Sequence, residues 1–176
     1  MKVLFLDIDG VLNSTRTNIA NGGYPMELHH TAAFDWTSIK LIQRLCDTGG
    51  IQVVLSSAWR LLNTPAEVSK AFGLPIIDRT GGGAGGLRGD EIQAWLDEHP
   101  EVTHYAILDD TPDMLESQQG NFVHTSPQDG LLWADFSRLC GLLDVSPFDG
   151  AARDRNWLTP ATATKLWTPA YRGETA

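Results

Sequence analysis

Three short apolar runs in this chain each end in side chains that carry oxygen atoms, and this feature limits the possible folds most. Each run is continuous rather than alternating, which is typical of strands buried on both faces of a parallel sheet. The runs and the residues that follow them are 3–6 with Asp7 and Asp9, 52–55 with Ser56 and Ser57, and 105–108 with Asp109 and Asp110. Because parallel strands end at one edge of their sheet, we expect these polar side chains to lie close together.

Segments with the apolar spacing of amphipathic helices separate the three runs. These segments are 36–47, 65–72, 90–99 and 131–143, and a further short strand is predicted at 122–123. Alternation of strands and helices predicts an α/β fold, in which a three-layer Rossmann-like parallel sheet carries helices on both faces.

The 176 residues fit one domain with a single buried core. We predict that this domain spans residues 1–146 and contains a small insertion at about 13–35. Residues 147–176 contain Pro, Thr and Trp without a sustained helical period. They are predicted to form a C-terminal extension that wraps the domain or meets a partner, such as a second subunit.

The net charge of −9 argues against tight, non-specific binding along nucleic acid, which needs clustered Lys and Arg. It leaves open the binding of one phosphate at a chain end, where a cation supplies the positive charge. No apolar run approaches the roughly 20 residues of a membrane span. Cys46 and Cys140 lack metal-ligand spacing and are predicted to be buried thiols. The composition therefore predicts a cytoplasmic protein without membrane contact.

Two acidic clusters follow the first and third apolar runs. Asp7 and Asp9 stand two apart at a strand end, so their side chains project to the same side, and Gly10 lets the backbone turn away. Asp109, Asp110 and Asp113 form the second cluster. Carboxylates this close repel each other unless a cation lies between them, and Mg²⁺ prefers oxygen ligands. Asp113 has the alternative role of an acidic residue favoured at a helix N-terminus.

Ser56 follows the second apolar run, where its hydroxyl and nearby backbone N–H groups are positioned to hold a phosphoryl oxygen. Arg88 lies 21 residues before Asp109, and its guanidinium is predicted to offset the charge of a phosphorylated aspartate. Lys70 and Arg79 are alternative cations for this role.

Four segments in this order resemble the motifs of the haloacid dehalogenase (HAD) superfamily. They are Phe-Leu-Asp-Ile-Asp-Gly-Val-Leu-Asn at 5–13, Val-Val-Leu-Ser at 53–56, Arg88, and Ile-Leu-Asp-Asp at 107–110 followed by Asp113. The third motif is more commonly Lys than Arg. The stretches Leu-Ser-Ser-Ala-Trp-Arg and Arg-Gly-Asp-Glu-Ile-Gln-Ala-Trp-Leu are similar to the HAD domains of Swiss army knife RNA-repair proteins.

This resemblance implies a Mg²⁺-dependent phosphohydrolase. Asp7 would attack phosphorus and form an aspartyl-phosphate, while Asp9 would act as general acid and base. Ser56 and Arg88 would hold the phosphoryl oxygens. Asp7, the backbone carbonyl of Asp9 and Asp109 would bind the metal, with Asp110 or Asp113. A non-catalytic module that binds a phosphorylated ligand, and a phosphotransferase or mutase, are the alternatives.

The short insertion leaves the predicted site nearly capless, which favours polymeric substrates such as nucleic-acid ends or phosphoproteins. Gly10 and Ser57 are predicted to contact the substrate beside the reacting phosphate. Trp59 is predicted to stack on a base, and Arg60 to contact a neighbouring phosphate. The glycine-rich residues 81–86 match neither a dinucleotide-binding loop in context nor a Walker loop, and are predicted to form a flexible loop that delivers Arg88.

Overall fold

The computed structural model describes residues 1–81 and 86–146. Its strands are β1 (Lys2–Leu6), β2 (Gln52–Leu55), β3 (Ile76–Arg79), β4 (His104–Asp109) and β5 (Phe122–His124). Its helices are α1 (Thr15–Asn21), α2 (Trp36–Gly49), α3 (Pro65–Phe72), α4 (Arg88–Glu98) and α5 (Trp133–Leu142). Three short 3-10 turns cover Thr31–Ala33, Ala58–Leu61 and Glu116–Asn121. The predicted extension 147–176 and residues 82–85 of the predicted glycine-rich loop lie outside the described residues.

The five strands form one parallel sheet in the order β3-β2-β1-β4-β5. Leu6 of β1 is in register with Leu55 of β2 and Leu108 of β4. The three strands therefore end at the same level, as the sequence predicts. For residues 59–87 the sequence indicates only a helix and a short strand or turn. The structure has a strand there, β3.

Alternating side chains of β1 enter two separate cores, which confirms the predicted three layers. Leu4 and Leu6 pack in the larger core with residues of α2, α3 and α5. Val3 and Phe5 pack in the smaller core on the other face with Ile92 of α4 and with neighbouring side chains. Helices therefore cover both faces of the sheet.

The insertion predicted at 13–35 contains α1 and the first 3-10 turn. Ser14 caps α1 with its hydroxyl, and Asp35 caps α2 by accepting hydrogen bonds from the backbone N–H groups of Thr37 and Ser38. Cys46 and Cys140 are buried and unpaired. Within residues 1–81 and 86–146, no helix has the length and apolar character needed to cross a membrane.

Candidate active site

The carboxyl ends of β1, β2 and β4 bring the predicted polar residues together. The backbone N–H of Asp7 donates to the Leu108 carbonyl at 3.0 Å, and that of Ser56 donates to the Leu6 carbonyl at 2.9 Å. These bonds continue the strand pairing by one residue at each strand end. Asp7 therefore lies between Ser56 and Asp109.

Three carboxylates cluster at this edge of the sheet. Asp7, Asp109 and Asp110 each offer one oxygen atom, and these atoms lie within 4.8 Å of one another. Asp7 is 4% exposed and Asp109 is fully buried. The Oδ2 atom of Asp109 has no hydrogen bond of acceptable geometry among the described residues, and its ion-pair partner is Nε of Arg88 at 3.1 Å. Three converging carboxylates with one cationic partner keep an excess of negative charge, which fits a hard divalent cation such as Mg²⁺.

Asp113, one of the predicted alternatives for the metal site, lies outside this cluster. Its Oδ2 accepts a hydrogen bond from the backbone N–H of Arg88 at 3.2 Å. Asp113 therefore caps the start of α4, where a carboxylate is also favoured by the helix dipole. Of the two candidates, Asp110 is the one that joins the carboxylate cluster.

Arg88 is the cation that reaches the carboxylates. Its Nη1 lies 3.1 Å from Oδ1 of Asp7, and its Nε lies 3.1 Å from Oδ2 of Asp109. The alternative cations lie elsewhere: Lys70 lines a cavity beside α3, and Arg79 donates to the Arg60 carbonyl at 2.6 Å. The geometry therefore favours Arg88 over both.

A tight contact between α4 and the loop after β4 holds Arg88 in place. The backbone N–H of Gly89 donates to the Asp113 carbonyl at 3.2 Å, and Nε2 of the buried Gln118 donates to the Gly89 carbonyl at 2.9 Å. A Cβ at Gly89 would lie 2.7 Å from the Leu115 backbone nitrogen. Glycine is needed here because only its missing side chain allows this approach.

Burial dominates the electrostatics of the two innermost carboxyls. Burial raises the pKa of Asp7 to about 6, although the Arg88 guanidinium and the Ser57 hydroxyl both lower it. Burial, followed by repulsion from Asp7, raises the pKa of Asp109 to about 7 against the opposing effect of Arg88. A bound cation would favour the ionised form of both groups.

Asp9 is exposed and is held by two hydrogen bonds. Nδ2 of the buried Asn13 donates to Asp9 Oδ1 at 2.8 Å, and the indole Nε1 of Trp59 donates to Asp9 Oδ2 at 3.0 Å. Gly10, which follows Asp9 directly, adopts φ of +71°, and a Cβ there would clash with the Asp110 carboxylate. The turn after β1 therefore needs glycine both for its conformation and for space.

Ser56 and Ser57 are both fully buried, but they differ in their contacts. The Ser57 hydroxyl donates to the Asp7 carboxylate, and its oxygen accepts from the Trp59 backbone N–H at 3.4 Å. The Ser56 hydroxyl has no hydrogen-bond partner within residues 1–81 and 86–146. The structure thus links Ser57 directly to Asp7, whereas the sequence favoured Ser56 for the contact with the phosphoryl group.

Arg60 and Trp59 are engaged in contacts that the sequence did not predict. Nη2 of Arg60 lies 2.6 Å from Oε2 of Glu91, and both side chains are largely buried. Trp59 packs edge-on against Phe34, with ring centroids 5.6 Å apart, while its N–H is bonded to Asp9. Arg60 therefore links the turn after β2 to α4, and the Trp59 N–H is bonded to Asp9. The predicted contacts of Trp59 and Arg60 with substrate stay predictions.

Comparison with known families gives a match over most of the chain. The family of HAD domains in Swiss Army Knife RNA repair proteins matches residues 3–136. The chain belongs to this family. Its predicted resemblance is confirmed, and its parallel five-stranded sheet is that of a HAD fold. No curated protein and no solved structure matches the chain.

Membership makes the chain a HAD-type, phosphohydrolase-like module. HAD domains generally use Mg²⁺, and the cluster of Asp7, Asp109 and Asp110 is compatible with one such ion.

The sequence analysis assigned no role to Asn13. Its position four residues after Asp9, across the turn at Gly10, could have indicated its contact with the Asp9 carboxylate. Glu91 carried no such signal, because its partner Arg60 lies 31 residues away.

Proposed function

We propose that this HAD domain is a Mg²⁺-dependent phosphohydrolase that removes phosphate from nucleic-acid ends through an aspartyl-phosphate at Asp7. One observation carries the proposal. The partly buried guanidinium of Arg88 contacts both Asp7 and Asp109, and the carboxylates of Asp7, Asp109 and Asp110 converge beside it. This arrangement neutralises a nucleophilic carboxylate and leaves oxygen ligands for a divalent cation.

In the first step, a carboxylate oxygen of Asp7 forms a bond to phosphorus as the bond from phosphorus to the leaving oxygen breaks. Asp9 gives its proton to that leaving oxygen. In the second step, Asp9 takes a proton from a water molecule that attacks the phosphorus. Inorganic phosphate leaves, and the Asp7 carboxylate is restored.

The phosphoryl oxygens would be held by donors that already surround Asp7. Arg88 uses Nη1 on Asp7 and Nε on Asp109, and its other N–H groups remain for the phosphoryl group. The hydroxyls of Ser57 and Ser56 lie at the adjoining strand end. Mg²⁺, held by Asp7, Asp109 and Asp110 with the Asp9 carbonyl, would supply charge neutralisation for the phosphoryl oxygens.

Asn13 and Trp59 keep Asp9 in one orientation. Each donates a hydrogen bond to a different oxygen of its carboxylate. Such bonds restrict the side-chain torsions of Asp9, so that its protonatable oxygen does not have to be ordered at each turnover. Trp59 therefore serves as a positioning residue in this proposal.

The family description and the shape of the site together support a nucleic-acid substrate. The family occurs in RNA repair proteins. The insertion between β1 and α2 contains only the seven-residue α1 and a short 3-10 turn, which is small for a cap, so we expect a chain end to have access. A charge of −9 disfavours contact with many phosphates, so we expect recognition of the terminal phosphate and its immediate neighbourhood.

Release of inorganic phosphate from short oligonucleotides phosphorylated at either terminus tests this function. We expect release with Mg²⁺, loss of release with chelator, and loss in Asp7→Asn. Asp97→Asn is the matched control, because Asp97 is an exposed aspartate near the opposite end of α4 from Arg88. Failure to release phosphate from any oligonucleotide, or full activity in chelator, would contradict the proposal.

A further inference from the structure

A groove lies beside Asp9, and its lining among the described residues does not include Asp7, Asp109 or Asp110. It has a volume of about 460 Å³. Its lining consists of Asp9, Tyr24, Pro25, Met26, Ala58, Trp59 and Leu62. Tyr24 is 64% exposed, Met26 76% and Leu62 86%. Apolar side chains this exposed, clustered next to a reactive carboxylate, indicate a binding surface.

The groove offers apolar contact and few free hydrogen-bonding groups. Among the described residues that line it, Asp9 is the only one with a carboxylate or basic side chain. Both oxygens of that carboxylate already accept hydrogen bonds, from Asn13 and Trp59. A sugar rich in hydroxyls would leave those groups unpaired against Met26 and Leu62, whereas a flat aromatic group would not.

The position of the groove identifies what enters it. In the proposed function, Asp9 protonates the oxygen that leaves the phosphoryl group. The group attached to that oxygen therefore lies next to Asp9, and the groove begins there. For a nucleic-acid end, that group is the terminal nucleoside, and its base is the part that suits an apolar lining.

Tyr24 is better placed than Trp59 to stack on this base. The Trp59 ring packs against Phe34 and its N–H is bonded to Asp9. The Tyr24 ring is largely exposed, and within the described parts of the chain no hydrogen bond or ring contact is found for it. Stacking on tyrosine is tolerant of base identity because every base presents an aromatic face.

The groove continues into a second cavity, and the charges that line this cavity limit how far a bound nucleic acid would extend along the surface. Met26 and Leu62 also line this cavity of about 670 Å³, together with Lys70, Glu27 and Glu67. The lining also contains His29, and one lysine and one histidine beside two glutamates do not form a track for a phosphate backbone. The subsite therefore ends at the terminal nucleoside.

We propose that Tyr24, Met26 and Leu62 form a leaving-group subsite for the base of the terminal nucleoside, with Tyr24 as the stacking residue. The subsite rests on the proposed function, because Asp9 must face the leaving oxygen. It gives the insertion at about 13–35 a role in substrate specificity.

A substrate without the terminal base distinguishes binding of the base at the subsite from the hydrolysis of the phosphate. Two short oligonucleotides are compared that differ only at the phosphorylated terminal residue, which carries a base in one and is abasic in the other. We expect wild-type protein to prefer the base-containing substrate by about 5- to 150-fold in kcat/KM, the range for one stacked base. Tyr24→Ala should lower this ratio to near one, and Tyr24→Phe should retain it.

Leu61→Ala is the matched control, because Leu61 is 71% exposed and adjoins Leu62 but lines a different cavity, with Arg60 and Arg79. It should keep the wild-type ratio and the wild-type rates. Hydrolysis of both substrates at equal efficiency, or a ratio unchanged in Tyr24→Ala, would overturn the subsite and leave the proposed function standing. Hydrolysis of neither substrate by wild-type protein would overturn both.

Discussion

Raising the pH of the metal-free protein should destabilise its fold, and Asp109 should cause much of the loss. Burial raises the pKa of Asp109 from 3.8 to about 7 and that of Asp7 from 3.8 to about 6. In the unfolded chain both carboxyls ionise near their ordinary values. Between about pH 4 and pH 7, the folded protein therefore holds protons that the unfolded chain has released, so stability falls as the pH rises.

The magnitude follows from the pKa difference. For Asp109, a change from 3.8 to about 7 corresponds to about 4 kcal/mol in the free energy of unfolding. For a domain of this size, that loss equals roughly 8–16 °C in Tm. The effect of Asp7 does not add fully, since repulsion from Asp7 is part of what raises the pKa of Asp109.

Urea unfolding at a series of pH values, with chelator or with Mg²⁺, measures this effect. The difference in unfolding free energy between wild type and Asp109→Asn should change by about 4 kcal/mol across the series in chelator. Mg²⁺ should reduce the loss, because it binds the ionised carboxylates of the folded state. Parallel profiles for wild type and Asp109→Asn, or identical profiles with and without Mg²⁺, would refute the reasoning.

Two further predictions concern the surroundings of Asp9. Trp59→Phe removes a hydrogen bond to a charged group, worth about 1.5–3 kcal/mol, and should lower kcat by roughly 10- to 150-fold. Trp95→Phe removes an indole-to-aspartate bond outside the site, so an equal loss of kcat there would contradict a positioning role. Gly10→Ala should weaken Mg²⁺ binding by tenfold or more, on the order of 1.4 kcal/mol, because its Cβ would displace the Asp110 carboxylate. Unchanged affinity in a calorimetric Mg²⁺ titration would contradict that clash.

The topology was predictable because continuous apolar runs and helical spacing are local properties of the sequence. The convergence of Asp7, Ser56 and Asp109 followed from parallel pairing alone. The choice of Arg88 over Lys70 and Arg79 did not follow, because all three candidate cations lie between β2 and β4 and spacing cannot rank them. Of these three described residues, only Arg88 reaches Asp7 and Asp109, and which cation does so depends on how the segment that carries it packs against the sheet.

Contacts between distant segments could not be predicted from local patterns. Asp113 is four residues from Asp109, and that spacing suggested a metal role, while in the structure its carboxylate accepts from the backbone N–H of Arg88 across the loop. Arg60 was predicted to contact phosphate, and the structure shows it in a largely buried ion pair with Glu91. Both depend on where α4 begins and docks, which the local pattern does not specify.

A chemical trap for the Asp7 phosphoryl group tests the covalent mechanism. Asp9→Asn is mixed with Mg²⁺ and an aryl phosphate, whose leaving group needs little help from an acid, and then treated with borohydride. Because borohydride reduces an acyl phosphate to an alcohol, we predict homoserine at position 7 in the peptide mass spectrum. Omission of Mg²⁺ or substrate should abolish it. Turnover of the aryl phosphate with residue 7 recovered only as aspartate would contradict an aspartyl-phosphate intermediate.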